Sequence, residues 1–177
     1  MAHLLFATPI GACGLAWNDT GLTAFVLPGR DPADTETWLT RLAGESGSPA
    51  GAEAAPAWIG ALVAQVQRHL AGDLQDFTAV PLDFARVSPF ARRVYKSART
   101  VPAGQTRTYG DLAGMLNEPV GRSRAIGAAL GSNPWPLIVP CHRIVGANGR
   151  LTGFSSAGGV RLKARLLAIE GAQLLAE

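Results

Sequence analysis

Near the start of the chain, residues 3–8, 13–17 and 22–27 are short runs that are apolar or alternate apolar with polar. Gly11 and the stretch Asn18-Asp19-Thr20-Gly21 separate them, which predicts a small antiparallel sheet. Residues 35–42 predict a short helix, and residues 44–57, rich in Gly, Ser, Pro and Ala, predict a loop. Ile59, Leu62, Val63, Val66 and Leu70 then recur at helical spacing, and Gly72 closes that helix. Residues 81–88 predict a linker.

Beyond the linker the pattern turns helical. Ser88-Pro89 is an N-cap followed by proline at the first helical position, and Phe90 and Val94 fall on one face. Residues 101–105 predict a turn. Thr108-x-x-Asp111 has the form of a capping box and opens a helix with Leu112 and Leu116 inward. After a break at 117–121, residues 122–130 predict a second short helix with Ile126 and Leu130 on one side. Two short helices joined by a tight turn outline a helix-turn-helix. Asn133-Pro134-Trp135-Pro136 forces an extended loop, because a residue before proline is pushed out of the α region. Leu137-Ile138-Val139 predicts a buried strand, Asn148-Gly149 a hairpin turn, and residues 160–169 a final helix. The fold class expected is therefore α/β: an N-terminal α/β domain with an antiparallel sheet over 1–85, and a mostly helical domain carrying a helix-turn-helix over 86–177.

Composition narrows the function. In 177 residues, 47% are hydrophobic and 16% charged, which excludes a wholly disordered chain. No apolar run approaches the roughly 18 residues of a membrane span, so no membrane partner is expected. The first residues carry no basic region and only a short apolar stretch, so the expectation is a cytoplasmic protein without a secretory signal. Cys13 and Cys141 are the only cysteines, too few for a disulfide scaffold. With only three histidines beside them, no metal and no cofactor are expected. The net charge of +3 hides an asymmetry: residues 1–85 sum to −6 and residues 86–177 to +9. A basic half joined to an acidic one suggests that the second half faces a polyanion.

The segment richest in chemistry is Ile138-Val139-Pro140-Cys141-His142-Arg143-Ile144-Val145. The thiolate is the reactive form of cysteine, and neighbouring positive charge lowers a thiol's pKa, so the flanking His142 and Arg143 mark Cys141 as a candidate nucleophile. Cys13, between small residues in a predicted strand, fits a buried structural cysteine.

Pro140-Cys141-His142-Arg143, the preceding Gly131-Ser132-Asn133-Pro134, the helix pair of 108–130, and Gly158-Gly159 through Lys163 to Glu170-Gly171 together resemble the O6-alkylguanine-DNA alkyltransferases, also called methylated-DNA–protein-cysteine methyltransferases. The resemblance covers residues 88–172 closely and the N-terminal part in general layout. It implies repair by direct damage reversal. The cysteine takes the alkyl group from O6 of guanine in double-stranded DNA and keeps it, so each molecule, expected to be a monomer, acts once. In the family a histidine beside the cysteine works through a water molecule and is backed by a glutamate; His142 and Glu170 match those positions. Tyr109 and Lys163 match positions lining the guanine pocket, and Asn133 matches the hinge asparagine between recognition helix and cysteine loop. Backbone groups of Cys141 and Ile144 would meet the guanine amine, with Phe154, Ser155 and Ser156 walling the alkyl pocket. Arg124 matches the arginine that enters the duplex in place of a flipped base, carried on a helix whose Ser123, Ala125 and Gly127 permit close approach to a groove, with Arg122 beside it. Arg92, Arg93, Lys96 and Arg107 are further phosphate candidates. The loop 153–159 is two residues longer than the common family pattern, and its aromatic residue is Phe154 rather than Tyr.

Three other classes compete. A non-catalytic binder of alkylated DNA needs no Cys141. A helix-turn-helix regulator leaves Cys141, His142 and Glu170 unexplained. A cysteine hydrolase normally draws its histidine from elsewhere in the fold.

Overall fold

A computed structural model of the protein describes residues 1–44, 47–51 and 54–172. The N-terminal strands are β1 (Ala2–Thr8), β2 (Gly11–Trp17) and β3 (Leu22–Val26). They pair antiparallel, and a two-residue strand β4 (Ser48–Pro49) adds parallel to β1, giving the order β3-β2-β1-β4. β4 falls in a stretch with no strand signal of its own.

Alternation in β2 explains how this sheet is covered. Leu15 and Trp17 face one side, where α2 (Ala57–Leu70) and the C-terminal half close the main core. Ala16 faces the other, where α1 (Pro32–Ala43) lays Leu39 and Ala43 against Ala24 and Val26. Gly14 makes that second contact possible, since a Cβ there would lie 2.7 Å from Leu39 Cδ2. Cys13 is fully buried, and burial pushes its thiol up to about 12.

The second half contains α3 (Pro89–Ala98), capped by Ser88, then β5 (Arg107–Thr108) and α4 (Tyr109–Met115). The capping box at α4 is complete, with both the Thr108 and the Asp111 side chains bonded. Asn117, at φ 55°, stops α4; the Glu118 N–H donates to Ala113 O and the Asn117 N–H to Gly114 O, a Schellman closure. A 3₁₀ turn leads into α5 (Ser123–Gly131), completing the helix-turn-helix. β6 (Ile144–Val145) and α6 (Gly159–Ile169) follow.

Three local expectations are corrected. Residues 137–139 form no strand. Leu137 sits at φ 77° between two prolines, and the Val139 N–H folds back to Trp135 O, so the run is a tight buried turn. Cys141 therefore leaves a turn, not a strand, and Cys141–Arg143 is a single 3₁₀ turn. Asn148 and Gly149 both adopt positive φ as a turn, but no hairpin strand follows; β6 pairs instead in parallel with β5.

The turn carrying Cys141 is tied to the N-terminal sheet. The Phe25 N–H donates to Pro134 O at 2.8 Å, and Trp135 Nε1–H to Leu22 O at 2.8 Å. The Trp135 ring, fully enclosed, meets Phe84 and Tyr95 edge-on. Replacing Trp135 with Ala should cost about 3–5 kcal/mol of stability in urea unfolding, mainly through the cavity it leaves, since the Leu22 carbonyl keeps its second donor, the Asp83 N–H; a loss below about 1 kcal/mol would show that this tie is not structural.

Candidate active site

Cys141, at the head of its 3₁₀ turn, opens onto a cavity of ≈ 280 Å³ also lined by Tyr109, Gly127, Leu130, Gly131, Gly153, Phe154 and Ser155. Each wall has a distinct origin. Tyr109 begins α4, Gly127 to Gly131 end α5, and Gly153 to Ser155 belong to the loop before α6. The Tyr109 ring lies directly against α5 at Gly127, where a Cβ would sit in ordinary van der Waals contact with Cε1 at 3.6 Å.

Asn133 joins these parts. Its Nδ2–H groups reach Val139 O at 3.0 Å and the Cys141 sulfur at 3.3 Å, while its Oδ1 accepts from the Trp135 N–H. The side chain thus braces the loop between α5 and the cysteine. Lys163, wholly buried on α6, donates to Ile144 O at 2.6 Å and Thr152 O at 3.0 Å. Burial lowers its ammonium to about 8, partly resisted by Cys141.

Beneath the cysteine lies a buried ionic cluster. Glu170, next after the last residue of α6, receives His142 Nε2 at 2.9 Å on Oε1. Arg143 grips both oxygens, Nη2 to Oε1 at 2.8 Å and Nε to Oε2 at 3.0 Å, and its Nη1 donates to Val101 O. Burial alone would raise the Glu170 carboxyl, but hydrogen bonds from His142, His69 and Arg143 outweigh it and hold the group far below the usual carboxylate range. Burial lowers His142, against the pull of Glu170, so its imidazole rests neutral at neutral pH. With Nε2–H given to Glu170, Nδ1 is the free base; it is buried and has no protein hydrogen-bond partner among the described residues.

The cysteine itself departs from expectation. Burial raises the Cys141 thiol, and the Asn133 hydrogen bond and the Lys163 charge only partly offset it. The flanking cations do not make a standing thiolate, because the charge of Arg143 is spent on Glu170 and His142 is uncharged.

On the outside, a groove runs along α4 and α5, lined by Thr108, Tyr109, Val120, Ser123, Arg124 and Asn148 among others. Tyr109 and Gly127 belong to both groove and cavity, so the two adjoin. Arg124 is exposed in this groove, and Ala125 lies beside it, partly buried. Ser123 turns its hydroxyl to Val120 O. Arg93 and Arg122 both bind Glu118, bracing the turn between the helices. Arg92 covers the Phe84 ring, and Lys96 is exposed. Three residues expected to line the pocket are not on the cavity wall: Ile144 is buried in β6 with its carbonyl on Lys163, Lys163 is buried on α6, and Ser156 lines a cleft beside Phe25, Trp38 and Pro134 that adjoins the cavity through Gly131 and Ser155.

A family model for the DNA-binding domain of 6-O-methylguanine DNA methyltransferase matches residues 89–172, the segment holding α3 to α6. The methylated-DNA–protein-cysteine methyltransferase of Mycolicibacterium paratuberculosis is 40% identical over 152 residues, covering 86% of this chain and 88% of that protein. The chain belongs to the methylated-DNA–protein-cysteine methyltransferase family. The methyltransferase of Shigella flexneri is 46% identical over 116 residues, 66% of each chain. Among solved structures, Mycobacterium tuberculosis OGT in complex with DNA superposes with a TM-score of 0.74 at 35% identity, covering 96% of this chain and 93% of that one. Its match extends well beyond the DNA-binding segment, so the methyltransferase likeness includes the N-terminal sheet.

Sequence reasoning missed two members of the ionic cluster. In the sequence Arg143 reads only as a cation beside the cysteine, and its bidentate grip on Glu170 has no local signal. His69 did have one: it follows Ile59, Leu62 and Val66 along the inward face of α2. Glu170→Gln should destabilise the fold by about 3–5 kcal/mol at neutral pH, because Arg143 stays buried without its counter-charge. A carboxyl held low contributes stability that is present above its unfolded pKa and lost as pH falls toward the folded one. The gap between the two proteins in denaturant titrations should therefore narrow below about pH 4; a gap unchanged there would contradict the assignment of charge.

Proposed function

We propose that Cys141 is the acceptor through which this protein repairs O6-alkylguanine in double-stranded DNA, taking the alkyl group irreversibly and acting once per molecule. The observation that carries this reading is a buried cysteine facing a base-sized cavity, with a neutral histidine anchored by an ionised carboxylate directly beneath it. The resting pair is thiol and imidazole. The thiol proton passes to His142 Nδ1, through a bridging water, and the imidazolium that forms is stabilised by Glu170. Sulfur attacks the alkyl carbon, the S–C bond forms, and the C–O6 bond breaks with its electrons leaving on guanine. Tyr109, on the cavity wall, is the donor we assign to the guanine as its charge grows; a proton returned to the base restores neutrality. Lys163 acts by holding the carbonyls of Ile144 and Thr152, which keeps cysteine turn and pocket loop together, and its charge supports the thiolate.

The base reaches this cavity only if it leaves the helical stack. Arg124, exposed in the adjoining groove, fills the vacated place, while the small residues Ala125 and Gly127 let α5 approach the DNA. The basic balance of residues 86–177 supplies the phosphate affinity. Loss of the cysteine should separate chemistry from binding. Cys141→Ser is expected to gain no methyl by intact mass after mixing with an O6-methylguanine duplex, yet to bind that duplex within about threefold of the wild type. Transfer that survives this change but stops with Cys13→Ala would overturn the assignment.

A second comparison isolates the role of Arg124. Arg124→Ala should slow repair of duplex DNA by about tenfold or more while leaving reaction with free O6-benzylguanine nearly unchanged, because a free base needs no extrusion. Equal losses on both substrates would remove Arg124 from the flipping step.

A further inference from the structure

Glu170 carries one hydrogen bond that the alkyl-transfer scheme above leaves unused. His69, from α2 in the acidic N-terminal half, points Nε2 at Glu170 Oε1 at 3.0 Å. Its tautomer is fixed by geometry. The Gln75 backbone N–H donates to His69 Nδ1 at 3.0 Å, so Nδ1 is the acceptor and the proton sits on Nε2, aimed at the carboxylate. The ring is 1% exposed and lies 5.2 Å from the Phe77 ring, centroid to centroid. Three donors converge on Oε1, from Arg143 Nη2, His142 Nε2 and His69 Nε2, while Oε2 takes the Nε–H of Arg143.

Resting on the alkyl-transfer reading, we propose that His69 is a positioning residue for the reaction: its Nε2–H completes the donor set of Glu170 and so fixes, through the shared Oε1, the carboxylate against which His142 is held. Packing alone does not call for a donor at that atom, since an apolar ring would fill the same space beside Phe77. Arg143 and His142 approach Glu170 from one 3₁₀ turn, whereas His69 approaches from α2, a support independent of that turn. The N-terminal half is thereby part of the catalytic apparatus, beyond its contribution to folding.

The test compares His69→Gln, His69→Asn and His69→Phe in single-turnover methyl transfer from an O6-methylguanine duplex. Glutamine places an N–H donor where Nε2 stood; asparagine places it where Nδ1 stood, out of reach of Glu170; phenylalanine supplies none. Asn and Phe should slow transfer by about tenfold or more, with duplex affinity unchanged, and Gln should recover most of the rate. The pH–rate profile adds a readout that a merely structural role would not move. The charged and titratable groups facing His69 are Glu170 directly and His142 and Arg143 through it, with Asp76 near Arg143. A carboxylate with one donor fewer attracts the imidazolium proton more strongly, so the acid limb should shift to higher pH in Asn and Phe, but not in Gln. If Gln behaves like Phe, or Asn and Phe transfer at the wild-type rate, or the acid limb stays in place, the proposal is wrong. If the variants do not fold, ring ¹⁵N spectra of the wild-type protein decide: a proton on His69 Nε2 supports the proposal, and one on Nδ1 overturns it. A wild-type protein that gains no methyl, with His69 protonated on Nε2, would instead count against the alkyl-transfer reading.

Discussion

A carboxylate stays ionised inside a protein only where enough donors replace the water it has lost, and Glu170 is such a case. Its four hydrogen bonds come from the cysteine turn and from α2, and every one matters to the layout of the site. Arg143 neutralises the charge. His142 gains its tautomer, with Nε2–H donated and Nδ1 left as base. His69 ties the cluster to the other half of the chain. Glu170 sits at the C-terminal end of α6, where the helix dipole disfavours an anion, and the buried guanidinium of Arg143 outweighs that cost.

From this constraint follows the electrostatic state of the cysteine. With Arg143 committed and His142 neutral, the surroundings of Cys141 favour a thiol, since burial raises it more than Asn133 and Lys163 lower it. In the proposed scheme, reactivity is thus supplied by proton transfer to a waiting base rather than by a thiolate held in advance. A buried thiol of this kind is protected from adventitious oxidation, as low-pKa exposed thiols are not. For a protein that spends itself in one reaction, a nucleophile that is inert until its substrate arrives is an economical arrangement. The groove outside is complementary: an exposed arginine beside small residues on α5, adjoining the cavity through Tyr109 and Gly127.

Much of this was legible in the sequence where local rules decide. The capping box at Thr108 and Asp111, the proline after Ser88 and the periodicity of α2 each fixed an element, and Cys141 stood out through its neighbours. The turn at 137–139 was not legible, because three consecutive β-formers carry a strand signal; the prolines on either side and the back-bond to Trp135 override it. The pairing of β5 with β6, more than thirty residues apart, has no local signal at all. In the site, His142, Asn133 and Glu170, which the family resemblance singles out, meet around Cys141 in the structure. What escaped was the wiring. Arg143 was seen as an influence on the cysteine when it serves the glutamate, and His69 was hidden as one more inward position on a helix. Long-range charge pairing is a property of the fold, and residue types at short spacing do not encode it.

In the proposed mechanism the site rests as thiol and neutral imidazole and becomes an ion pair only in the reaction. Titration of thiolate absorbance in the wild-type protein, with the same titration of Cys141→Ser subtracted, measures this directly. No thiolate attributable to Cys141 should be present at neutral pH, and its signal should rise only above the ordinary thiol range of about 8.5. A Cys141 thiolate already formed at or below neutral pH would contradict the account.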